Sequence, residues 1–216
     1  MKSHCFVVSL AAICLCLVLQ TALADAASAQ LRLKDIVTAP VNLSISGTYY
    51  SVEPSNPKIF SVDVTQDRFI KTYNDGLTIV GVKVMDLVTY YIIDNNKKAV
   101  LKVSQPNLYK TGQFFNWDSI TSLVNLPGDT SVAAGSKAKG GCTIYDVADT
   151  GVKLCVDVSH HIPLVMEQNG AMVARVSSVK SLSFDINAKA DSIILACKQQ
   201  DYTFIDVDSD MEPNAD

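Results

Sequence analysis

Apolar and polar residues alternate with a period of two in run after run of this chain, and such alternation marks strands with one face buried. The runs are Ser44–Val52, Ile59–Val64, Phe69–Tyr73, Leu77–Met85, Leu87–Ile93, Ala99–Val103, Cys142–Val147, Val152–Val158, Ile162–Glu167 and Met172–Ile186, all rich in β-branched and aromatic residues. Between them, Asn74-Asp75-Gly76, Asp94-Asn95-Asn96 and Asp149-Thr150-Gly151 supply residues that accept the positive φ of tight hairpins. The pattern predicts a mainly β protein, an antiparallel meander forming a half-barrel or two stacked sheets. One short helix follows the central strands. In Asn116–Val124 the residues Trp117, Ile120, Leu123 and Val124 share one side, and Asn116 or Asp118 can cap. Residues 125–141 are small, polar and glycine-rich, the composition of a long loop.

Two strands break the one-sided rule. Leu77–Met85 and Leu87–Ile93 are apolar on both faces, unlike Val152–Val158, where Lys153, Cys155 and Asp157 alternate with apolar residues. Either the helix and loop cover the second face as ordinary core, or that face holds an apolar ligand; periodicity does not separate the two. A cavity of the second kind would be lined by Ile79, Tyr90, Ile92, Leu101, Phe115 and Trp117.

The N-terminus is read as a secretory leader. Cys5–Leu19 carries no charge, and Ala22-Leu23-Ala24 offers a small-residue cleavage site, so residues 1–24 are expected to be removed. The apolar run is shorter than the roughly 20 residues that span a bilayer, and no transmembrane segment is expected. Residues 25–200 then form a single β-rich domain, and 201–216 an acidic, disordered tail. Of the six cysteines, Cys142, Cys155 and Cys197 remain, enough for one disulfide in an oxidising compartment. If Asp149-Thr150 is a two-residue turn, Cys142 falls opposite Asp157 and Cys155 opposite Ile144. Diagonal positions in such a pair lie roughly 7–8 Å apart, beyond the usual reach of about 4.4–6.8 Å. Cys197 follows the strand-like run Ser192–Ala196 and is the better partner, so Cys155–Cys197 is the expected bridge.

Composition excludes several classes. Hydrophobic residues make up 48% and charged residues 19% of the 216, with a net charge of −4, which favours a packed core over disorder. Three arginines, Arg32, Arg68 and Arg175, provide no basic stripe, so nucleic acid is not an expected partner. No H-E-x-x-H, G-x-S-x-G or phosphate-loop pattern occurs, and the chain is not expected to be an enzyme. His160-His161 reads as an exposed strand end, since neighbours on a strand face opposite ways and do not readily share a metal. Asp206, Asp208 and Asp210 match the start of a calcium loop, but Met211 replaces its glycine, which rules out an EF-hand. Asn42-Leu43-Ser44 is the one N-glycosylation sequon of the expected mature chain.

The order of these pieces carries a resemblance. A secreted meander precedes Phe114-Phe115-Asn116-Trp117-Asp118, a polar loop and a hairpin; then come Ile162-Pro163-Leu164-Val165, a long strand, Leu182-Ser183-Phe184-Asp185-Ile186, Ser192-Ile193-Ile194 and Cys197. The whole resembles the ependymin-related family, whose members share the half-barrel fold of bacterial lipoprotein carriers. The resemblance implies a secreted glycoprotein that binds hydrophobic ligands and calcium, often as a homodimer. This chain lacks the family's cysteines near Lys97-Lys98-Ala99-Val100 and just before Ile162, so the family's disulfide pattern does not carry over. The expectation is a secreted, extracellular, non-enzymatic binder of a lipid-like small molecule. The alternative is an extracellular matrix or cell-surface module whose apolar faces pack on a partner chain.

Overall fold

A computed structural model describes residues 31–50, 56–133, 135–138 and 141–209. The expected leader, residues 1–24, lies outside them, as does Asp210. The compact unit Arg32–Asp216 is built on one open sheet of twelve strands: β1 (Leu43–Tyr49), β2 (Lys58–Val64), β3 (Arg68–Tyr73), β4 (Leu77–Val84), β5 (Leu87–Asp94), β6 (Ala99–Ser104), β7 (Val132–Ala133), β8 (Cys142–Val147), β9 (Val152–Asp157), β10 (Pro163–Gln168), β11 (Ala171–Ser181) and β12 (Thr203–Asp206). Their order is β12-β6-β5-β4-β3-β2-β1-β11-β10-β9-β8-β7. Every neighbouring pair is antiparallel except β12 on β6. Two meanders, β1–β6 and β7–β11, thus join along the β1–β11 ladder, in keeping with the predicted half-barrel.

The connections between the meanders place the covers of the sheet. From β6 the chain enters a 3₁₀ turn (Gln105–Thr111) and a short helix, which is preceded in the chain by α1 (Leu33–Ile36) and is therefore α2 (Trp117–Ser122). Asn116 caps α2 as its sequence predicts, its side chain accepting from Ser119 N at 2.8 Å. Leu108, Ile120 and Leu123 of this segment pack on Ile45, Phe60, Val62, Phe69, Ile79 and Tyr90 of the sheet. We call this face inner. After β11, helix α3 (Ile186–Gln199) lies over the outer face, where Ile186, Ala190 and Cys197 pack on Ile70, Val80, Ile93 and Val100. The double-sided apolar character of β4 and β5 has its cause here: each face has its own cover.

α3 corrects the strands expected at the end of Met172–Ile186 and over Ser192–Ala196. Asp185 is its N-cap, accepting from Asn187 N and Ala188 N, and Ile186, Ala190, Ile193 and Cys197 recur at helical spacing along the buried side. The tail is corrected too. Residues 203–206 form β12, Val207 is buried in the inner core, and Lys102 meets Asp206 at 2.6 Å.

The β8–β9 hairpin has the predicted register, with Cys142 opposite Asp157 and Cys155 opposite Ile144. The bridge does not follow the prediction: Cys142 and Cys155 are joined, with Cα atoms 5.5 Å apart. The 7–8 Å diagonal belongs to a flat ladder, and the right-handed twist of paired strands draws one diagonal in. Cys197 is a free, buried thiol on α3, packed against the first meander and held protonated as burial raises its pKa.

Candidate functional site

The inner face is the aromatic side of the molecule. Period-two alternation sends Tyr49 of β1, Phe60 of β2, Phe69 and Tyr73 of β3 and Tyr90 of β5 to it, and the cover adds Phe115 and Trp117. The rings form two groups: Tyr49 stands 4.5 Å from Phe60 and 6.5 Å from Tyr73 between centroids, and Phe69 stands 5.0 Å from Trp117 and 6.1 Å from Tyr90, itself 5.1 Å from Phe115. Two glycines make room. A Cβ on Gly81 would stand 2.2 Å from the Phe69 ring, and one on Gly47 2.8 Å from that of Phe60. Tyr90 donates through its hydroxyl to Gln105, whose amide donates to the Phe115 carbonyl at 3.1 Å, fixing the start of the cover.

All six residues predicted to line a cavity meet on this face. Ile79, Tyr90 and Ile92 are buried in the core cluster, and Leu101, Phe115 and Trp117 pack against it half-buried. They touch one another as core. A cleft of about 530 Å³ opens instead between α1 and the segment Asn116–Gly128, lined by groups such as Val37, Thr38, Asp118 and Asn125. Clefts of about 330, 550 and 280 Å³ lie elsewhere, and none of the four is lined by the six residues.

One group on the inner face was not foreseen. Lys71 follows the same alternation as Phe69 and Tyr73, and it is 2% exposed. Its Nζ donates to Tyr49 Oη at 3.1 Å and to the carbonyl of Ile120, in α2, at 3.0 Å. It stands 5.3 Å from the Tyr49 ring centre, 5.4 Å from that of Phe60 and 5.6 Å from that of Tyr73. Among the described residues no carboxylate pairs with it: Lys58, at the same end of the face, takes Asp75 at 2.7 Å. Burial lowers the Lys71 pKa to about 7, and the charge of Lys58 adds to the effect. Burial likewise raises Tyr49 above the usual tyrosine range and pushes Tyr73 up to about 12. The site is therefore a lysine amine, poised to gain or lose its charge near neutral pH, in a box of neutral rings and joined by one hydrogen bond to the cover.

The other predicted residues are dispersed. Asn42 is exposed, with φ +57°, at the entrance to β1. Asp208 accepts from Ser104 N and Oγ, both at 3.0 Å, and from Asn107 Nδ2 at 2.8 Å. With Asp206 on Lys102, both described carboxylates of the suggested calcium set bind protein groups. Hydrogen bonding to Lys102 holds Asp206 below the usual carboxylate range. His160 meets Asp157 Oδ2 through both its backbone N–H, at 2.8 Å, and Nδ1, at 2.7 Å, in one local turn. His161 is exposed, with φ +55°. Among the described residues no group of three metal-ligating side chains forms, and no helix is long and apolar enough to cross a membrane.

The class defined by this geometry is a mainly β protein, one open sheet, antiparallel except at β12, covered on both faces. No family model matches the chain, and no curated protein does. It is similar to two solved structures of PNGF-II, in a P21 and a C2 space group, at 12% and 15% identity over 68% and 76% of this chain, with TM-scores of 0.33 and 0.35. It spans 30% and 31% of the length of those chains.

Proposed function

We propose that this protein is a secreted, non-enzymatic binder of a hydrophobic, lipid-like small molecule, received on the inner face when the 105–130 segment moves aside. One observation carries the reading: the aromatic face is closed by a largely irregular segment, and a buried lysine with no carboxylate partner among the described residues forms one of its ties to the sheet. Such a cover is easier to lift than a second sheet, and the surface beneath it is what an acyl chain would displace it from. The resemblance to the ependymin-related family points the same way. The disulfide Cys142–Cys155 fits an oxidising compartment. The alternative is an extracellular matrix or cell-surface module whose apolar faces pack on a partner chain; on the outer face of β4 and β5 that place is taken by α3.

Native mass spectrometry of protein purified from its own source tests the reading, with a copurifying lipid as the expected result. An apolar fluorescent probe is expected to bind at micromolar concentration and to be displaced by fatty acid. Absence of both overturns it. Calcium, glycosylation at Asn42 and a homodimer are secondary parts of the proposal. Calcium would have to compete with Lys102 for Asp206 and with Ser104 and Asn107 for Asp208, and calorimetry at millimolar ion decides it.

A further inference from the structure

Lys71 raises a question that an apolar ligand alone does not answer. An ammonium taken out of water is costly unless it is paired and hydrogen-bonded, so a core lysine with no carboxylate partner among the described residues needs a reason. Aliphatic side chains fill the neighbouring inner positions of the same ladder, Val62 opposite on β2 and Ile79 opposite on β4. An ammonium has three donors, and the acceptors here are two, Tyr49 Oη and the Ile120 carbonyl. The second belongs to the cover and leaves with it. What remains is a cation with two donors to spare, beside a tyrosine hydroxyl, at one end of an aromatic face.

We propose that Lys71 and Tyr49 form the head-group site for an amphiphile ending in a carboxylate, one of whose oxygens takes the place at Nζ held by the Ile120 carbonyl when the cover is closed. The inference rests on the reading that the inner face receives an apolar ligand, and it names that ligand's class. The carboxylate supplies the missing counter-charge and accepts from Nζ and from the Tyr49 hydroxyl, both charge-assisted bonds. The chain then runs over Phe60 and Phe69, where the cover's apolar residues pack.

Among the described residues, the other charged and titratable groups around Lys71 leave the charge balance in favour of an anion. From β2 comes Lys58, which carries Asp75 as its own partner; from β1 and β3 come Tyr49 and Tyr73, both neutral. On the cover, Asp118 stands near Tyr90, at the other end of the face, whose pKa is raised by burial and, to a smaller degree, by the Asp118 charge. β4 offers Ile79 opposite Lys71. Since Lys71 must be protonated to hold the anion, affinity for a carboxylate falls as pH rises past about 7.

The experiment compares dodecanoate with dodecanol, a carboxylate and an alcohol of one chain length, by probe displacement at pH 6 and pH 9 on the intact protein. At pH 6 dodecanoate is expected to bind roughly tenfold tighter or more, with most of that advantage gone at pH 9 and dodecanol unchanged. Lys71→Met is expected to abolish the preference, so that dodecanoate and dodecanol bind that variant about equally, and Lys71→Arg to retain it. Equal affinities in the unmodified protein, or a preference that survives in Lys71→Met, overturns the head-group site and leaves the apolar-binding reading standing. Failure of both ligands to bind overturns that reading, and the head-group site with it.

Discussion

The two covers of the sheet solve one problem in opposite ways. On the outer face a fourteen-residue helix, α3, is capped by Asp185 and tied down by Lys189, which meets the buried carboxylate of Asp63 at 2.7 Å; Ser44 Oγ donates to the same carboxylate at 2.6 Å. On the inner face a 3₁₀ turn and a six-residue helix are tied to the sheet by a lysine with no carboxylate among the described residues. The outer clasp is a buried charge with its counter-ion. The inner one is half a salt bridge. A protein holding one face permanently and the other conditionally would be built this way, because a missing counter-charge is something a ligand can bring.

Adjacent residues of β5 give the sharpest test, since Ile92 faces inward and Ile93 outward. Ile93→Glu is expected to destabilise by several kcal/mol, because α3 gives its carboxylate no route to water. Ile92→Glu should cost less in urea unfolding, because opening the inner cover hydrates the charge while the sheet survives, and it should also weaken apolar-probe binding. Equal costs would remove the distinction between the faces.

Next in size is Lys71→Met, expected to stabilise by about 1–4 kcal/mol, as replacing a poorly compensated buried charge with an apolar side chain often does. The sign with pH follows from the lowered pKa. In the unfolded chain the amine titrates near the ordinary value of 10.5 and in the folded protein near 7, so between those values the unfolded state binds the extra proton. Wild-type stability gains from this group as pH rises through that window. The advantage of Lys71→Met should then be constant below about pH 7 and shrink towards 10.5, as urea titrations at pH 6 and pH 10 would measure.

Smaller effects probe the completed contacts. Asp63→Asn is expected to cost about 1–2 kcal/mol, since half-exposed Lys189 recovers some hydration when its partner loses charge. Asp208→Ala should cost about 1 kcal/mol by freeing Ser104 and Asn107. A thermal melt would detect both, and no change in the second would mean that the end of the chain adds little to the inner cover.

The meanders were legible because hairpin turns and alternation are local, and the Asp149-Thr150 turn alone predicts the β8–β9 register. The convergence of Ile79, Tyr90, Ile92, Leu101, Phe115 and Trp117 was legible for the same reason. Whether they enclose space or fill it depends on how closely the cover approaches, which no spacing records. α3 was misread because Ser192-Ile193-Ile194-Leu195-Ala196 is a short apolar run equally at home in a strand, although Asp185 and the 186, 190, 193, 197 spacing hold the helical answer. The disulfide was missed for want of the sheet's twist. Lys71 could have been placed, since alternation sets it beside Phe69 and Tyr73; a lysine in a strand is ordinarily read as solvent-facing, and that prior concealed it.

The ladder between β1 and β11 pairs Leu43 with Ser181 and Tyr49 with Ala174. Each meander closes through hairpins between near neighbours in sequence, but this seam waits until most of the chain has been made, and long-range pairing of that kind slows folding. Until it forms, β1 and β11 are both bare edges, each able to pair with the other's counterpart on a second molecule. Exchange of whole meanders between two chains would reproduce every contact of the seam. At high concentration during refolding, the by-product to look for is therefore an entangled dimer rather than an amorphous precipitate.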